Sequence, residues 1–275
     1  MGSNTLAHPP MKFKFTPSKK AAIFLMIYSA GALGFNFKPE VALHLVATLG
    51  VGIALYYLYS FVFKKKKSLE DTIITSLIIF LVLHYGSMPM DHLMPALATF
   101  FAITAKFFFE IKGKPIFNPA VGGLLGLVAL GYLIPNMELP FVSWWGVNYE
   151  SYISLALIAV WILTELKIWR KYPIVITFLL TYGIILLIQD KTELLQFTFT
   201  DATIYFLVGI MLVEPKTSPI KRLDQMVYAL IAVATYQLLF YYNLPYIGLL
   251  TIATANLFNT ALRFRPQPKK TVIKV

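Results

Sequence analysis

Ten apolar runs joined by short polar connections limit what this chain can fold into. They fall at about 20–37, 40–63, 71–86, 93–110, 118–134, 150–169, 172–189, 198–213, 224–242 and 244–262. A helix needs about 20 apolar residues to cross a bilayer. Several runs are shorter, so broken or tilted helices are expected among them. Only 13% of the residues are charged, where soluble domains carry about 25%, and mean hydropathy is +0.69. The expected fold class is an all-α polytopic membrane protein.

The basic residues give the expected orientation. Of the 24 lysines and arginines, all but Lys38 and Lys191 fall in alternate connections and the two tails. The positive-inside rule then places both termini in the cytoplasm of a prokaryotic-type inner membrane, with ten crossings. The net charge of +11 is an orientation signal and an attraction to anionic lipid rather than a nucleic-acid footprint. There is no cysteine, which excludes disulfides, thiolate metal sites and cysteine-held iron–sulfur clusters.

One stretch carries the most information: Lys106 to Gly126, with a basic turn around Lys114 and a new run opening at Phe117-Asn118-Pro119. Pro119 suits a first helical position, and Asn118 before it can cap the free N–H groups. Gly122, Gly123 and Gly126 strip side chains from the first turns. Two readings follow: close packing on another helix, or approach of a flat or anionic ligand to the positive helix end. A second proline-rich break, Glu214-Pro215-Lys216-Thr217-Ser218-Pro219, reads as a rigid inner turn whose hydroxyls face whatever lies beneath.

Trp144 and Trp145 in the outer loop read as interfacial anchors or as a stacking platform for an aromatic ring. His44, His84 and His92 lack regular spacing on any one helix, and no metal site is assigned. Glu165, near Lys167 and Arg170, reads as ion-paired. Short matches between the halves suggest an inverted internal repeat: Asn118-Pro119 with Asn243 and Pro245, and Asp71-Thr72 with Asp201-Ala202-Thr203. The division is a cytoplasmic tail (1–19, with Met11 a natural start), a five-helix repeat (20–134), an outer loop (135–149), a second repeat (150–262) and a basic tail (263–275).

Taken together, Lys106, Gly113-Lys114-Pro115-Ile116-Phe117-Asn118-Pro119-Ala120 and the Glu214–Pro219 turn resemble motifs of one family. Its members are the membrane D subunit of Rnf electron-transport complexes and the B subunit of the sodium-pumping NADH:quinone reductase. The resemblance spans about residues 20–265. It implies two inverted five-helix repeats similar to urea and ammonium channels, a flavin, and partner subunits that couple electron transfer to ion movement. Family members bind FMN covalently through a threonine in the outer loop after the fifth span. Residues 136–149 contain no threonine, so covalent FMN is not expected, and Pro115 stands where the family has histidine.

The resemblance leaves a non-covalent site for a flavin (FMN or riboflavin) or a quinone. Its candidate residues are Lys106, Lys114, Phe117, Asn118 and Pro119, the turn residues Glu214, Pro215, Thr217, Ser218 and Pro219, and Trp144 and Trp145. The chain is then a component of an oxidoreductase complex rather than a self-sufficient enzyme. Its partners are other electron-transport subunits or a flavin- or iron–sulfur-containing reductase, within a lipid bilayer. The alternative is a channel or transporter of the same fold, passing a small solute, an ion or flavin itself.

Overall fold

The computed structural model describes residues 16–65, 67–86, 89–135, 137–148 and 151–264; Met11 and most of both tails lie outside these. The fold is all-α, with about 75% of the described residues in helices. In order these are α1 (Pro17–Phe35), α2 (Pro39–Phe63), α3 (Leu69–Val82), α4 (Pro89–Phe108), α5 (Pro119–Leu133), α6 (Ser151–Trp169), α7 (Tyr172–Ile188), α8 (Thr192–Thr200), α9 (Ala202–Phe206), α10 (Arg222–Tyr241) and α11 (Ile247–Leu262). A two-stranded hairpin, β1 (Glu110–Ile111) and β2 (Lys114–Pro115), joins α4 to α5, and α9 runs on as a π-helical segment, Leu207–Met211.

Local chemistry sets these boundaries. The Thr16 hydroxyl caps α1, Ser68 caps α3 and Asp201 caps α9, each accepting from a backbone N–H two or three residues on. Prolines open α1, α2, α5 and α7, where a missing N–H costs nothing. Left-handed residues follow the ends of α2, α6 and α10, at Lys64, Arg170 and Asn243.

Among the described residues, α2, α6 (from Tyr152) and α10 are long and apolar enough to cross a membrane. A fourth candidate arises if α8 and the α9–π rod, bent by 64° at Asp201, count as one. The helices alternate in direction. The starts of α1, α3, α5, α7 and α10 gather at one end with the ends of α2, α4, α6, the π segment and α11. Among the described residues that end carries the other lysines and arginines, whereas Lys38 and Lys191 lie at the opposite end, over the rings of Tyr85 and Phe240.

Three helix pairs of the first half have counterparts in the second, although the packing of α3 on α4 and α5 is not matched there. Helix α1 packs on α3 as α6 packs on α9, α2 on α4 as α7 on α10, and α4 on α5 as α10 on α11. Across the halves α1 meets α6 and α5 meets α11. The residues matched by sequence nevertheless do different work. Asn118 caps α5, but Asn243 takes a left-handed turn and α11 begins only at Ile247, beyond Pro245.

Two runs differ from their expected form. The third run is helical only to Val82, because the outer loop folds back and takes over its last carbonyls. Backbone N–H groups of Trp144 and Gly146 donate to Val82 and Leu81 (both 3.0 Å), and His84 N–H donates to Phe141 (2.8 Å). The eighth run breaks at Asp201, and α8, a helix not expected from the sequence, precedes the break.

The contact of α4 with α5 explains one glycine. A Cβ on Gly123 would lie 2.4 Å from the Ala98 carbonyl oxygen and 2.5 Å from Ala102 Cβ, whereas one on Gly34 would meet nothing within 4 Å. Gly123→Val should therefore lower stability by about 1–3 kcal/mol or more through overpacking of α4 against α5. Gly34→Ala should leave the melting temperature in detergent unchanged or slightly raised.

Candidate functional site

The two proline breaks meet across the halves, joined by buried polar groups. Asn118 Oδ1 accepts from the N–H groups of Ala120 (3.0 Å) and Val121 (3.4 Å), while its Nδ2 donates to the Met211 carbonyl (3.2 Å). Its own N–H donates to Asn256 Oδ1 on α11 (2.7 Å). Asn256 Nδ2 then donates to the Tyr228 hydroxyl (2.8 Å), which donates to the Leu212 carbonyl (3.2 Å). A helix end leaves carbonyls without partners, and at the end of the π segment Asn118 and Tyr228 supply them. The Trp161 indole serves the Gly209 carbonyl one turn earlier (3.1 Å).

Beside this junction, open at the lysine-rich end, lies a cavity of about 560 Å³. Such a volume suits a small organic ligand. Asn118 and Pro119 line it from one half, Glu214 and Pro215 from the other, and Lys106 from α4. Leu25, Ile78 and Ile210 form apolar wall, with Trp161 and Trp169 meeting edge-on at 5.3 Å. Charged groups at the rim pair off, Lys67 with Glu110 and Lys216 with Asp71.

Lys106 is the exception. Its side chain is only 4% exposed, and its Nζ has no hydrogen-bond partner among the described residues. The Trp169 indole N–H is likewise buried and unpartnered. Unmet polar groups of this kind are costly, and both residues border the cavity.

Glu214 is held in place by its own turn. Thr217 Oγ1 donates to Glu214 Oε2 (3.0 Å), and Ser218 Oγ donates to the Val213 and Glu214 carbonyls (3.2 and 2.7 Å). The Thr217 carbonyl accepts from Asn259 on α11 (2.5 Å), and the Pro219 carbonyl from Lys171 (2.6 Å). Burial pushes the Glu214 carboxyl up to about 7, even though the Thr217 hydroxyl and the Lys106 and Lys216 side chains favour its charged form.

Of the expected site residues, Lys106, Asn118, Pro119, Glu214 and Pro215 come together on the cavity wall. The others do not. Lys114 is exposed on the hairpin, and Phe117 borders a separate crevice behind α5. Thr217 and Ser218 are buried and brace the turn rather than facing ligand space, and Pro219 sits behind them. Trp144 and Trp145 lie at the opposite end. Trp145 Nε1 donates to the Phe80 and Leu83 carbonyls (3.0 and 2.9 Å), and Trp144 lines a second, smaller cavity. Gly123 and Gly126 lie against Ala98, Ala102 and Phe101 of α4, so close packing on another helix accounts for those two glycines.

Other residues of the site were not singled out by sequence. Asp71 read as a helix-start acid, and Lys67 and Lys216 as orientation charges. Trp161, Trp169, Asn256 and Tyr228 carried no motif at all. Glu165 is ion-paired as expected, but to Lys20 on α1 (3.4 Å) rather than to its sequence neighbours. Among the described residues, no cluster of His, Asp and Glu is arranged to hold a metal. No protein-family model matches the chain, and no curated protein matches it.

Two predictions follow from the junction and the turn. Asn118→Ala and Asn256→Ala should each destabilise the protein by about 1–3 kcal/mol. The double variant should fall short of the sum by at least about 0.5 kcal/mol, because the residues share one network; additive melting shifts would refute the coupling. For Glu214, a folded pKa near 7 against 4.5 for the free group favours the folded state most below pH 4.5. That contribution fades as pH rises to about 7. The melting temperature of Glu214→Gln relative to wild type should therefore rise from pH 5 to pH 8.

Proposed function

We propose that the chain is an integral membrane protein of ten spans in two inverted five-helix halves, holding a flavin (FMN or riboflavin) or a quinone non-covalently in its cavity. It would act as the membrane subunit of an Rnf-like electron-transfer system, beside a partner reductase. The observation that carries this reading is the cavity itself. It opens between the two segments that resemble the family's motifs, and each contributes wall residues from its own half.

Further support comes from the three matched helix pairs, the gathering of basic residues at one end and the exposed apolar surface. Phe61, Leu133 and Ile188 are each more than three-quarters exposed, a cost in water that lipid removes. Lys106 and the Trp169 N–H would meet the polar edge of a flat ring system, with Trp161 and the aliphatic wall against its faces. Glu214, titrating near neutrality, would hold or release a proton at the rim. A bound flavin would supply the electron-transfer chemistry that side chains lack.

A second reading, passage of a small solute, rests on a different observation. Ile210 lines the cavity at the basic end and Leu207 lines the one at the far end, so the π segment is the partition between them. Such segments often mark functional sites. Uptake of labelled riboflavin into proteoliposomes would favour this reading over the first.

For the first reading, purified protein should show a flavin absorption spectrum that moves to the supernatant on acid precipitation. Lys106→Met should weaken flavin retention by roughly tenfold or more while raising the melting temperature, because it removes a buried amine that lacks a hydrogen-bond partner. A colourless protein that takes up neither flavin nor quinone would defeat the proposal.

A further inference from the structure

On the flank of the body, where α6 ends and α7 and α10 begin, an open groove of about 1120 Å³ is lined by Lys167, Arg170, Lys171 and Arg222, and by no carboxylate. Lys171 is buried and donates to the Ser218 and Pro219 carbonyls, making it a fixed part of the wall. The other three are exposed, and none has an ion-pair partner among the described residues. The nearby acid in the first turn of α10, Asp224, does not line the groove.

The rest of the lining is largely apolar, including Ile176, Ile220 and Met226. Helices α7 and α10 both start at the groove and pack along one another. The exposed residues Ile176, Leu180 and Ile184 on α7, and Met226 and Leu230 on α10, therefore lead away from the cations in the same direction. Massed cations call for an anion, and an apolar stripe calls for hydrocarbon. A free phosphate would meet the first need and leave the second unmet. A molecule with an anionic head and a long acyl chain meets both.

We propose that this groove binds an anionic phospholipid, its phosphate held by Lys167, Arg170 and Arg222 and an acyl chain lying on the α7–α10 stripe. The inference rests on the membrane reading above. Trp169 and Pro215 line both the groove and the cavity, so the lipid shares a wall with the candidate site.

The test uses full-length protein in phosphatidylcholine vesicles carrying either brominated phosphatidylglycerol or brominated phosphatidylcholine, with tryptophan quenching as the readout. The anionic lipid should quench at lower mole fraction. Arg170→Gln and Arg222→Gln should each weaken that preference roughly fivefold, and Lys38→Gln at the opposite end should leave it unchanged. Inorganic phosphate should not relieve the quenching. Equal quenching by both lipids, equal loss in Lys38→Gln, or relief by phosphate alone would each overturn the proposal. Alkaline carbonate separates the two levels: protein washed off the vesicles defeats the membrane reading, and protein that stays without lipid preference defeats only this inference.

Discussion

The body depends on how one helix end is satisfied. The π segment leaves the Met211 and Leu212 carbonyls without partners in their own helix, deep inside a mostly apolar protein. Asn118 from the first half and Tyr228 from the second close them, with Asn256 joining the two. Buried polar groups tolerate no loose geometry, because each unmade bond costs more than a made one contributes. The network therefore fixes where the two proline breaks lie relative to one another, and the cavity is the space left beside them.

The same economy of partners separates structural from functional groups here. Thr217, Ser218 and Asn118 looked like ligand donors in sequence, yet the structure engages Asn118 and Ser218 with backbone groups and Thr217 with the Glu214 carboxylate. Several buried side-chain polar atoms among the described residues lack a hydrogen-bond partner, and of these Lys106 Nζ and the Trp169 N–H belong to residues on the cavity wall. A buried amine left without a hydrogen bond beside a cavity gives up stability at that point, which is the pattern expected where a ligand is accommodated.

Much of the architecture was legible in the chain because it is written in long signals. Apolar runs, the one-sided placement of lysine and arginine, and the Asn-Pro start of α5 each reflect local or composition-level physics. The cavity's wall was legible only in part. Trp161, Trp169, Asn256 and Tyr228 sit on helices whose apolar runs mask them, and their roles come from contacts across tens of residues. Lys216 counted as an orientation charge until its Asp71 partner, 145 positions away, was in view. The helix start at Asp201 was legible from its capping acid, but α8 before it was not, because its short segment reads as a polar connection running into the eighth apolar run. The early end of α3 was missed because it is imposed by the returning loop and not by any residue of α3.

That returning loop has a mechanical consequence. At the far end the outer loop is tied down largely by main chain, through bonds from Trp144 and Gly146 to Val82 and Leu81 and from His84 to Phe141, with the Tyr28 hydroxyl donating to the Val147 carbonyl (2.5 Å). A side-chain gate swings by rotamer change in nanoseconds, but a latch of peptide groups must be peeled, and such local unfolding runs from microseconds to seconds. Any opening at that end would therefore be slow beside the motions of side chains around the lysine-rich mouth.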